Sequence, residues 1–182
     1  MIKQSQPLGL ITFSESMTRD KIKKLPELIA IRKELRKKKK VVVFTNGVFD
    51  ILHRGHVEYL EAARSRGDIL ILGLNSDQSV ERWKGAGRPL MTQEDRATIL
   101  AALESVDYVC VFDEDTPEKL ITALVPDILI KGGDYRIEDI VGREVVWEHG
   151  GRVETIPLTP GRSTTDLIRK IGELIKNGVL NL

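Results

Sequence analysis

Residues Thr45 to His56 read T-N-G-V-F-D-I-L-H-R-G-H, and this stretch decides how the rest of the chain is interpreted. It continues the β-branched apolar run that begins at Val41, which predicts a buried strand ending in a glycine turn. Two histidines, His53 and His56, then flank Gly55 where a helix is expected to begin. The start of a helix offers free backbone N–H groups, so two imidazoles beside it predict a phosphate site.

Beyond this stretch, short apolar runs alternate with segments of helical character. Further strands are predicted at 69–74, 108–112, 127–130 and 152–156. Helices are predicted at 55–65, 93–104, 140–149, 163–176 and from Pro117, whereas 75–92 is interpreted partly as loop. Strands that alternate with helices predict an α/β fold, here a Rossmann-like five-stranded parallel sheet covered on both faces.

Residues 1–39 are predicted to form a helical extension in front of a domain at 40–182. After Pro26, Leu28, Ile31 and Leu35 recur at helical spacing, so this helix is expected to pack on the domain or on another subunit. Residues 1–20 show no period and are expected to form an irregular arm.

The charge is distributed unevenly along the chain. Residues 1–40 carry 12 Lys and Arg against 4 Asp and Glu, whereas the remainder carries 16 against 23. A basic arm can bind nucleic acid. However, its only aromatic residue is Phe13, and no nucleic-acid-binding motif accompanies it, so no nucleic-acid partner is expected.

The composition is that of an ordinary soluble domain, with 41% hydrophobic and 30% charged residues in 182. Apolar runs such as 69–72 are far too short to cross a bilayer, and the first residues lack a signal-peptide core. The single cysteine, Cys110, lies in an apolar run and is expected to be a buried thiol. We therefore expect a cytoplasmic protein without disulfides and without a membrane partner.

Polar and glycine-rich residues follow three of the predicted strands. These are Asn46-Gly47, Asn75-Ser76-Asp77 and Lys131-Gly132-Gly133-Asp134. In open α/β sheets, ligands bind beyond the carboxyl ends of the strands, where the strand order reverses. We therefore expect one site at this edge, with the fourth strand flanking the first.

The stretch from Thr45 to His56 resembles the signature of the cytidylyltransferase-like nucleotidyltransferases, which move a nucleoside monophosphate from a triphosphate onto another phosphate. The resemblance runs from Lys40 to about Ile171 and includes L-N-S-D, K-G-A-G-R-P, A-L-E-S-V-D-Y-V, E-D-T-P, P-D-I-L-I-K-G-G-D-Y and S-T-T-D-L-I. Within the family, these segments look like those of members that transfer AMP from ATP to D-glycero-β-D-manno-heptose 1-phosphate. The resemblance implies that ADP-heptose and pyrophosphate are the products, for bacterial lipopolysaccharide core or surface glycan synthesis.

The resemblance also implies the partners of the chain. ATP and a sugar 1-phosphate are the expected substrates, with Mg²⁺ held mainly by the ATP phosphates, and a homodimer is expected. In many bacteria the similar domain is fused behind a sugar kinase. The 40 residues before the first strand are too few for one, so the resemblance is to the stand-alone form and implies a separate heptose kinase.

The resemblance and the residue chemistry together assign roles. The expected catalytic residues are His53, His56 and Lys84. The expected nucleotide-binding residues are Thr45, Asn46, Gly47, Phe49, Gly55, His56, Lys131, Gly132, Gly133, Asp134, Ser163, Thr164 and Thr165, the last three opening a hydroxyl-rich helix. The expected substrate-binding residues are Asp50, Asn75, Lys84, Arg88 and Arg96, of which Asp50 and Arg96 could instead brace the loop.

Two positions bear on metal binding and on a departure from the family. No protein metal site is expected, because His149 is the only histidine outside the motif and there is one cysteine. Glycerol-3-phosphate cytidylyltransferases carry an arginine where this chain has Leu158, and Arg162 is the nearest residue that could replace it.

Two alternatives remain open. The first is cytidylyl transfer to glycerol 3-phosphate or another alcohol or sugar phosphate. The second is a nucleotide-binding regulator without turnover, against which the presence of both motif histidines counts.

Overall fold

Five apolar runs form one parallel sheet in the computed structural model, which describes residues 17–180. The strands are β1 (Val42–Gly47), β2 (Ile69–Asn75), β3 (Tyr108–Phe112), β4 (Ile128–Gly132) and β5 (Arg152–Ile156). Their order is β3-β2-β1-β4-β5, so the strand order reverses between β1 and β4. The predicted α/β fold is confirmed, and the fourth strand flanks the first as expected.

Eight α-helices accompany the strands in the described part of the chain. They are α1 (Met17–Lys21), α2 (Leu25–Lys37), α3 (Arg54–Arg64), α4 (Asp77–Lys84), α5 (Gln93–Ala101), α6 (Glu118–Leu124), α7 (Arg143–Glu148) and α8 (Thr164–Lys176). Leu60 of α3 and Leu100 of α5 cover one face of the sheet, and Leu28 of α2 and Ile121 of α6 cover the other. Over residues 17–180, no helix is both long and apolar enough to cross a bilayer.

The interpretation of 75–92 as partly loop is confirmed for 85–92, and helix α4, which was not predicted, occupies the earlier part of that segment. Ser76 caps this helix, because its hydroxyl accepts a hydrogen bond from the Ser79 N–H at 3.0 Å. Val80 is the only large apolar side chain that the helix buries, so its sequence shows little apolar periodicity.

The prediction for Cys110 is correct: the thiol is buried under the second face, and burial raises its pKa to about 11.

Three aspartates tie the amino ends of the strands together. Asp68 accepts a hydrogen bond from the Val41 N–H at 2.8 Å, and Asp107 accepts one from the Leu70 N–H at 2.7 Å. Asp127 accepts in the same way from the N–H of residue 42 at 2.7 Å. Because these contacts close the amino edge, the carboxyl edge is left to form a ligand site.

Helix α2 packs on the domain, which is the first of the two expected arrangements. The buried Arg32 guanidinium donates to the carbonyls of Leu124 and Val125 at 3.1 and 2.9 Å. It also forms an ion pair with Asp127 at 2.8 Å. These contacts satisfy carbonyls at the end of α6 that have no partner within that helix. The boundary at residue 40 stays a prediction. Of the irregular arm expected for 1–20, residues 1–16 lie outside the described residues, and the expectation is wrong for 17–20, which belong to helix α1.

We expect Arg32→Ala to lower the free energy of unfolding by about 2–4 kcal/mol, because it removes a buried guanidinium that donates to two carbonyls and pairs with the Asp127 carboxylate. Urea unfolding followed by circular dichroism measures the change. Lys33→Ala removes the same charge from an exposed position of the same helix and should change stability by less than about 0.5 kcal/mol. Equal losses in both variants would contradict the structural role of Arg32.

Candidate active site

The carboxyl ends of β1, β2 and β4 open into a cleft of about 710 Å³. Most of the residues predicted for the site line it. They are Asn46, Gly47, Phe49, Asp50, His53, Gly55, His56, Asn75, Lys84, Arg88, Lys131, Gly132, Asp134, Ser163, Thr164 and Thr165. The fold therefore brings together segments that lie more than 100 residues apart in the sequence.

The two motif histidines stack on each other at the entry to α3. Their ring centroids lie 3.8 Å apart with an interplanar angle of 17°, and the Phe49 ring meets His56 edge-on at 5.2 Å. The Nδ1 atoms of both rings are buried, and neither has a hydrogen-bond partner among the described residues. Buried polar atoms are normally satisfied, so two unpartnered nitrogens side by side are an unusual feature of this pair.

Both imidazoles are neutral at pH 7. Burial and the neighbouring His53 ring lower the pKa of His56 from 6.5 to about 4, although the Asp50 carboxylate opposes this shift. Burial and the Arg162 guanidinium also lower the pKa of His53. Each neutral ring donates one N–H, so the pair can bind phosphate oxygens as hydrogen-bond donors.

The depressed pKa of His56 predicts a pH dependence of stability. The folded protein resists protonation of this ring below 6.5, so stability is present above that pH and is lost as pH falls toward 4. Between pH 7 and 5, we expect His56 to contribute a loss of about 1–2 kcal/mol in the free energy of unfolding. Urea unfolding of the wild type and His56→Asn at both pH values measures this loss, which should be smaller in the variant. An identical loss in the two proteins would contradict the shift.

The loop between β1 and α3 adopts a strained backbone. Phe49 and Ile51 have φ angles of 49° and 47°, in the left-handed region that non-glycine residues rarely adopt. Such a conformation persists only where the surroundings fix it. Arg96 supplies one such contact by donating to the Val48 carbonyl at 2.6 Å.

Asp50 supplies most of the remaining contacts of this loop. Its carboxylate accepts from the N–H groups of Leu90 and Met91 at 3.0 Å and pairs with Arg88 at 2.9 Å. Its backbone carbonyl accepts from the Thr164 hydroxyl at 2.6 Å. The side chain is almost fully buried, so the observed role of Asp50 is to join this loop to residues 88–91 and to the start of α8.

Arg96 is a correction to the predicted set of substrate-binding residues. Its side chain is fully buried and does not line the cleft. The guanidinium donates to the carbonyls of Met91 and Val48 and pairs with Asp77 at 2.7 Å. Because protein groups take up these donors, Arg96 braces the loop and is not available to a substrate.

Two residues of the predicted nucleotide-binding set also lie behind the cleft. The buried Thr45 hydroxyl forms a 2.6 Å hydrogen bond with the Tyr59 hydroxyl, under the sheet edge. Gly133 donates its N–H to the Ile156 carbonyl at 2.7 Å, and a Cβ atom there would come within 3.1 Å of Pro157. The close approach that Gly133 permits is therefore to the chain after β5 rather than to a ligand.

The hydroxyls at the start of α8 are partly engaged. Ser163 caps the helix, because its hydroxyl accepts from the Asp166 N–H at 3.0 Å and donates to the Asp166 carboxylate at 2.8 Å. The Thr164 hydroxyl bonds to the loop carbonyl described above. A ligand at this helix start would therefore contact Thr165 and the backbone N–H groups. It would not meet three free hydroxyls, because those of Ser163 and Thr164 already have partners.

Basic side chains make the cleft suited to anions. Burial lowers the pKa of Lys131 at the end of β4 to about 8, while nearby Asp134 opposes the shift. Burial and the neighbouring Arg88 lower the pKa of Lys84. A cation that is partly stripped of water gains from an anionic ligand.

Arg162 lies in the cleft beside the histidines. Its Cβ is 3.1 Å from the position that a Cβ on Gly55 would take, and its charge acts on His53. Leu158, which stands where the glycerol-3-phosphate cytidylyltransferases carry an arginine, also lines the cleft. The position of Arg162 is consistent with its taking the place of that arginine.

A further set of cleft residues on the β2–β3 side was not predicted from the sequence. They are Ser79, Arg82, Trp83, Asp115 and Thr116. The segment E-D-T-P follows β3 as the other polar segments follow their strands, and this position at the same sheet edge was the available signal.

The described residues offer no group of three or more His, Cys, Asp or Glu side chains arranged to bind a metal ion. Mg²⁺ often keeps several water ligands and is bound through substrate phosphates with few protein carboxylates. A metal ion that arrives with a nucleotide fits this donor set.

The chain is similar to known proteins over most of its length. Residues 44–170 match the cytidylyltransferase-like family. The chain is 53% identical over 170 residues to bifunctional protein HldE of Geobacter sulfurreducens, covering 93% of this chain and 35% of that one. It is 60% identical over 152 residues to bifunctional protein HldE of Citrifermentans bemidjiense, covering 83% and 31%. The chain thus spans about a third of the length of these relatives.

Two solved structures share the architecture. The lipopolysaccharide core biosynthesis protein from Thermoplasma volcanium superposes with a TM-score of 0.55 at 28% identity, covering 66% of this chain and 97% of that one. The pantoate-beta-alanine ligase from Francisella tularensis superposes with a TM-score of 0.56 at 16% identity, covering 85% and 78%, which shows a common fold. Because the family match takes in well over half of the chain and includes both histidines, the chain belongs to the cytidylyltransferase-like family.

Proposed function

We propose that this chain transfers AMP from ATP to D-glycero-β-D-manno-heptose 1-phosphate, giving ADP-heptose and pyrophosphate. The observation that carries the proposal is the stacked pair His53 and His56 in a cleft that the start of α8 also lines. The choice of the sugar phosphate rests on the sequence resemblance. The similarity to bifunctional protein HldE over 93% of the chain supports that choice.

The reaction joins two phosphates. An oxygen of the acceptor phosphate attacks the α-phosphorus of ATP, a new P–O bond forms, and the bond to the leaving pyrophosphate breaks. The attacking oxygen and the leaving group are both already anionic, so no strong general base is needed. Positioning and electrostatic stabilisation of the charge at phosphorus therefore account for most of the rate.

His53 and His56 are assigned to the oxygens of the reacting phosphate, which their neutral N–H groups can bind as charge develops. Lys84 and Arg88 are assigned to the acceptor phosphate on the β2 side of the cleft. The backbone N–H groups at the start of α8, with Arg162, are assigned to the β- and γ-phosphates of ATP. Mg²⁺ bound to the triphosphate supplies charge neutralisation when it is present.

The β4 side of the cleft is assigned to the nucleoside. A Cβ atom on Gly132 would come within 2.7 Å of the Asp134 carboxylate and 3.1 Å of Leu158, so the absence of a side chain lets these two groups approach the end of β4. Asp134 can accept hydrogen bonds from ribose hydroxyls. Asn46, at the end of β1, lines the cleft next to this side.

The proposal extends to the setting of the reaction. A sugar kinase, on the same polypeptide or another, has to supply the heptose 1-phosphate, and the reaction is assigned to the cytoplasm. A homodimer is part of the same proposal, since α8 exposes the apolar side chains of Leu167, Ile171 and Ile175 along one face. Cytidylyl transfer to glycerol 3-phosphate has only the family name in its favour.

Pyrophosphate release tests the proposal directly. The protein is incubated with Mg²⁺, each of ATP, CTP, GTP and UTP, and each of the two heptose 1-phosphate anomers, mannose 1-phosphate and glycerol 3-phosphate. Release is expected with ATP and the β-anomer and not with ATP alone. Release only with CTP and glycerol 3-phosphate would replace the proposal with cytidylyl transfer. ATP binding without release from any pair would favour the regulator.

A further inference from the structure

The cleft has two halves that lie on either side of β1. The β4 half contains Lys131, Gly132 and Asp134, which are assigned above to the nucleoside. The β2–β3 half contains Arg82, Trp83, Asp115 and Thr116. A transferase that joins two substrates at one phosphorus has to bind both of them in contact. The second half is therefore the place for the body of the acceptor.

Trp83 is the most unusual residue of that half. It lies near the end of α4 and is 67% exposed, although tryptophan side chains are highly buried on average. A large exposed aromatic surface within a cleft marks a ligand site. The Lys84 ammonium lies 4.8 Å from the centre of the indole, so the aromatic face adjoins the cation assigned to the acceptor phosphate.

Arg82 and Asp115 place a fixed pair of polar groups beside this indole. Their side chains form an ion pair at 2.9 Å, and Arg82 also donates to the Asp113 carbonyl after β3. Both side chains are substantially exposed in the cleft, so each keeps hydrogen-bonding capacity for a ligand. The pair joins α4 to the loop after β3, which orients both groups.

We propose that Trp83, Arg82 and Asp115 form the subsite for the sugar ring of the acceptor. A sugar ring has apolar C–H faces that suit the indole and a rim of hydroxyls that suits a guanidinium and a carboxylate. In a sugar 1-phosphate, one oxygen joins ring and phosphate, so the ring has to lie next to the group that binds the phosphate. Lys84 over Trp83 meets this requirement. This inference rests on the proposed function for the acceptor class.

Steady-state kinetics of the full chain test the subsite. Trp83→Ala is expected to raise the KM for heptose 1-phosphate about tenfold and to leave the KM for ATP within about twofold, because it removes a contact to the acceptor alone. Trp147→Ala is the matched control, since Trp147 is also exposed but lies outside the cleft-lining set, and both KM values should stay unchanged. An unchanged KM for the sugar phosphate in Trp83→Ala, or a rise in the KM for ATP instead, overturns the subsite.

Tryptophan fluorescence gives a readout that does not need turnover. The chain has two tryptophans, so Trp147→Phe leaves Trp83 as the only reporter and Trp83→Phe leaves Trp147. Heptose 1-phosphate and mannose 1-phosphate should change the emission of the first variant and not of the second. A response of Trp83 to ATP but to no sugar phosphate would assign the indole to the adenine and overturn the proposal.

The two experiments separate the subsite from the proposed function. If the wild type releases no pyrophosphate with any sugar phosphate, the proposed function fails, and the fluorescence of Trp83 still decides the subsite. If the wild type turns over heptose 1-phosphate while Trp83→Ala keeps its KM, the function stands and the subsite fails.

Discussion

Replacing His53 or His56 by alanine is expected to lower kcat about 10²–10³-fold without unfolding the protein. Each substitution removes a preorganised N–H donor from a cleft where the stacked rings are partly stripped of water. The donor acts where charge develops at phosphorus, so its loss should lower kcat and kcat/KM together and leave the KM for ATP nearly unchanged. Pyrophosphate release measured over a range of ATP and sugar phosphate concentrations gives all three constants.

The third histidine supplies the control for these variants. His149 is exposed, bonds to the Val145 carbonyl at 2.8 Å and does not line the cleft, so His149→Ala should keep wild-type kinetics. The double variant His53→Ala/His56→Ala should lose less than the product of the two single losses, because the rings act as one unit. Full activity in either single variant would remove the assigned role of the pair.

The sheet and the position of the site were predictable from the sequence for a physical reason. Strands of a parallel sheet are buried on both faces, so runs such as Val41 to Phe44 and Tyr108 to Phe112 are largely apolar and easy to recognise. Because all neighbouring strands are parallel, their carboxyl ends lie at one edge. The polar residues after the strands had to meet there, and those at Asn46, Asn75 and Lys131 do so.

The direction in which a side chain points was not predictable in the same way. Arg96 lies in Q-E-D-R, where nothing local distinguishes a solvated arginine from one that is fully buried under a loop. Its burial depends on Val48 and Asp77, which belong to other elements. Thr45 shows the same limit, because its hydroxyl is engaged by Tyr59, fourteen residues later in the chain.

The hydroxyls of the S-T-T segment illustrate a competition between two roles. The sequence pattern predicts phosphate binding, and the structure shows that Ser163 and Thr164 already bond to Asp166 and to the loop carbonyl. Capping and loop bracing are local and tertiary contacts that do not need a ligand. These contacts hold the helix start in the cleft, so the segment contributes by positioning its backbone N–H groups as much as by its own oxygens.

Gly55→Ala is expected to lower kcat/KM about 10–100-fold while leaving stability nearly unchanged. A Cβ at this position would lie 3.1 Å from Arg162 Cβ and 3.2 Å from Cε1 and Nδ1 of the His53 ring. These contacts are tighter than ordinary van der Waals distance, so the imidazole or the arginine has to move by a few tenths of an ångström. Small displacements of a positioned donor are costly in rate.

A second helical glycine, Gly172, provides the matched control for this prediction. Gly172 lies within α8, and a Cβ there would meet no atom within 4 Å. Both substitutions add one methyl group and improve helix propensity, by up to about 1 kcal/mol in a helix interior. Gly172→Ala should therefore raise the free energy of unfolding and leave kinetics unchanged, whereas in Gly55→Ala the same gain is opposed by the crowding of the His53 ring. Because the added atoms are identical, a loss of activity confined to Gly55→Ala would have to come from the geometry around the paired imidazoles. Wild-type kinetics in Gly55→Ala would instead show that the reaction does not depend on that geometry.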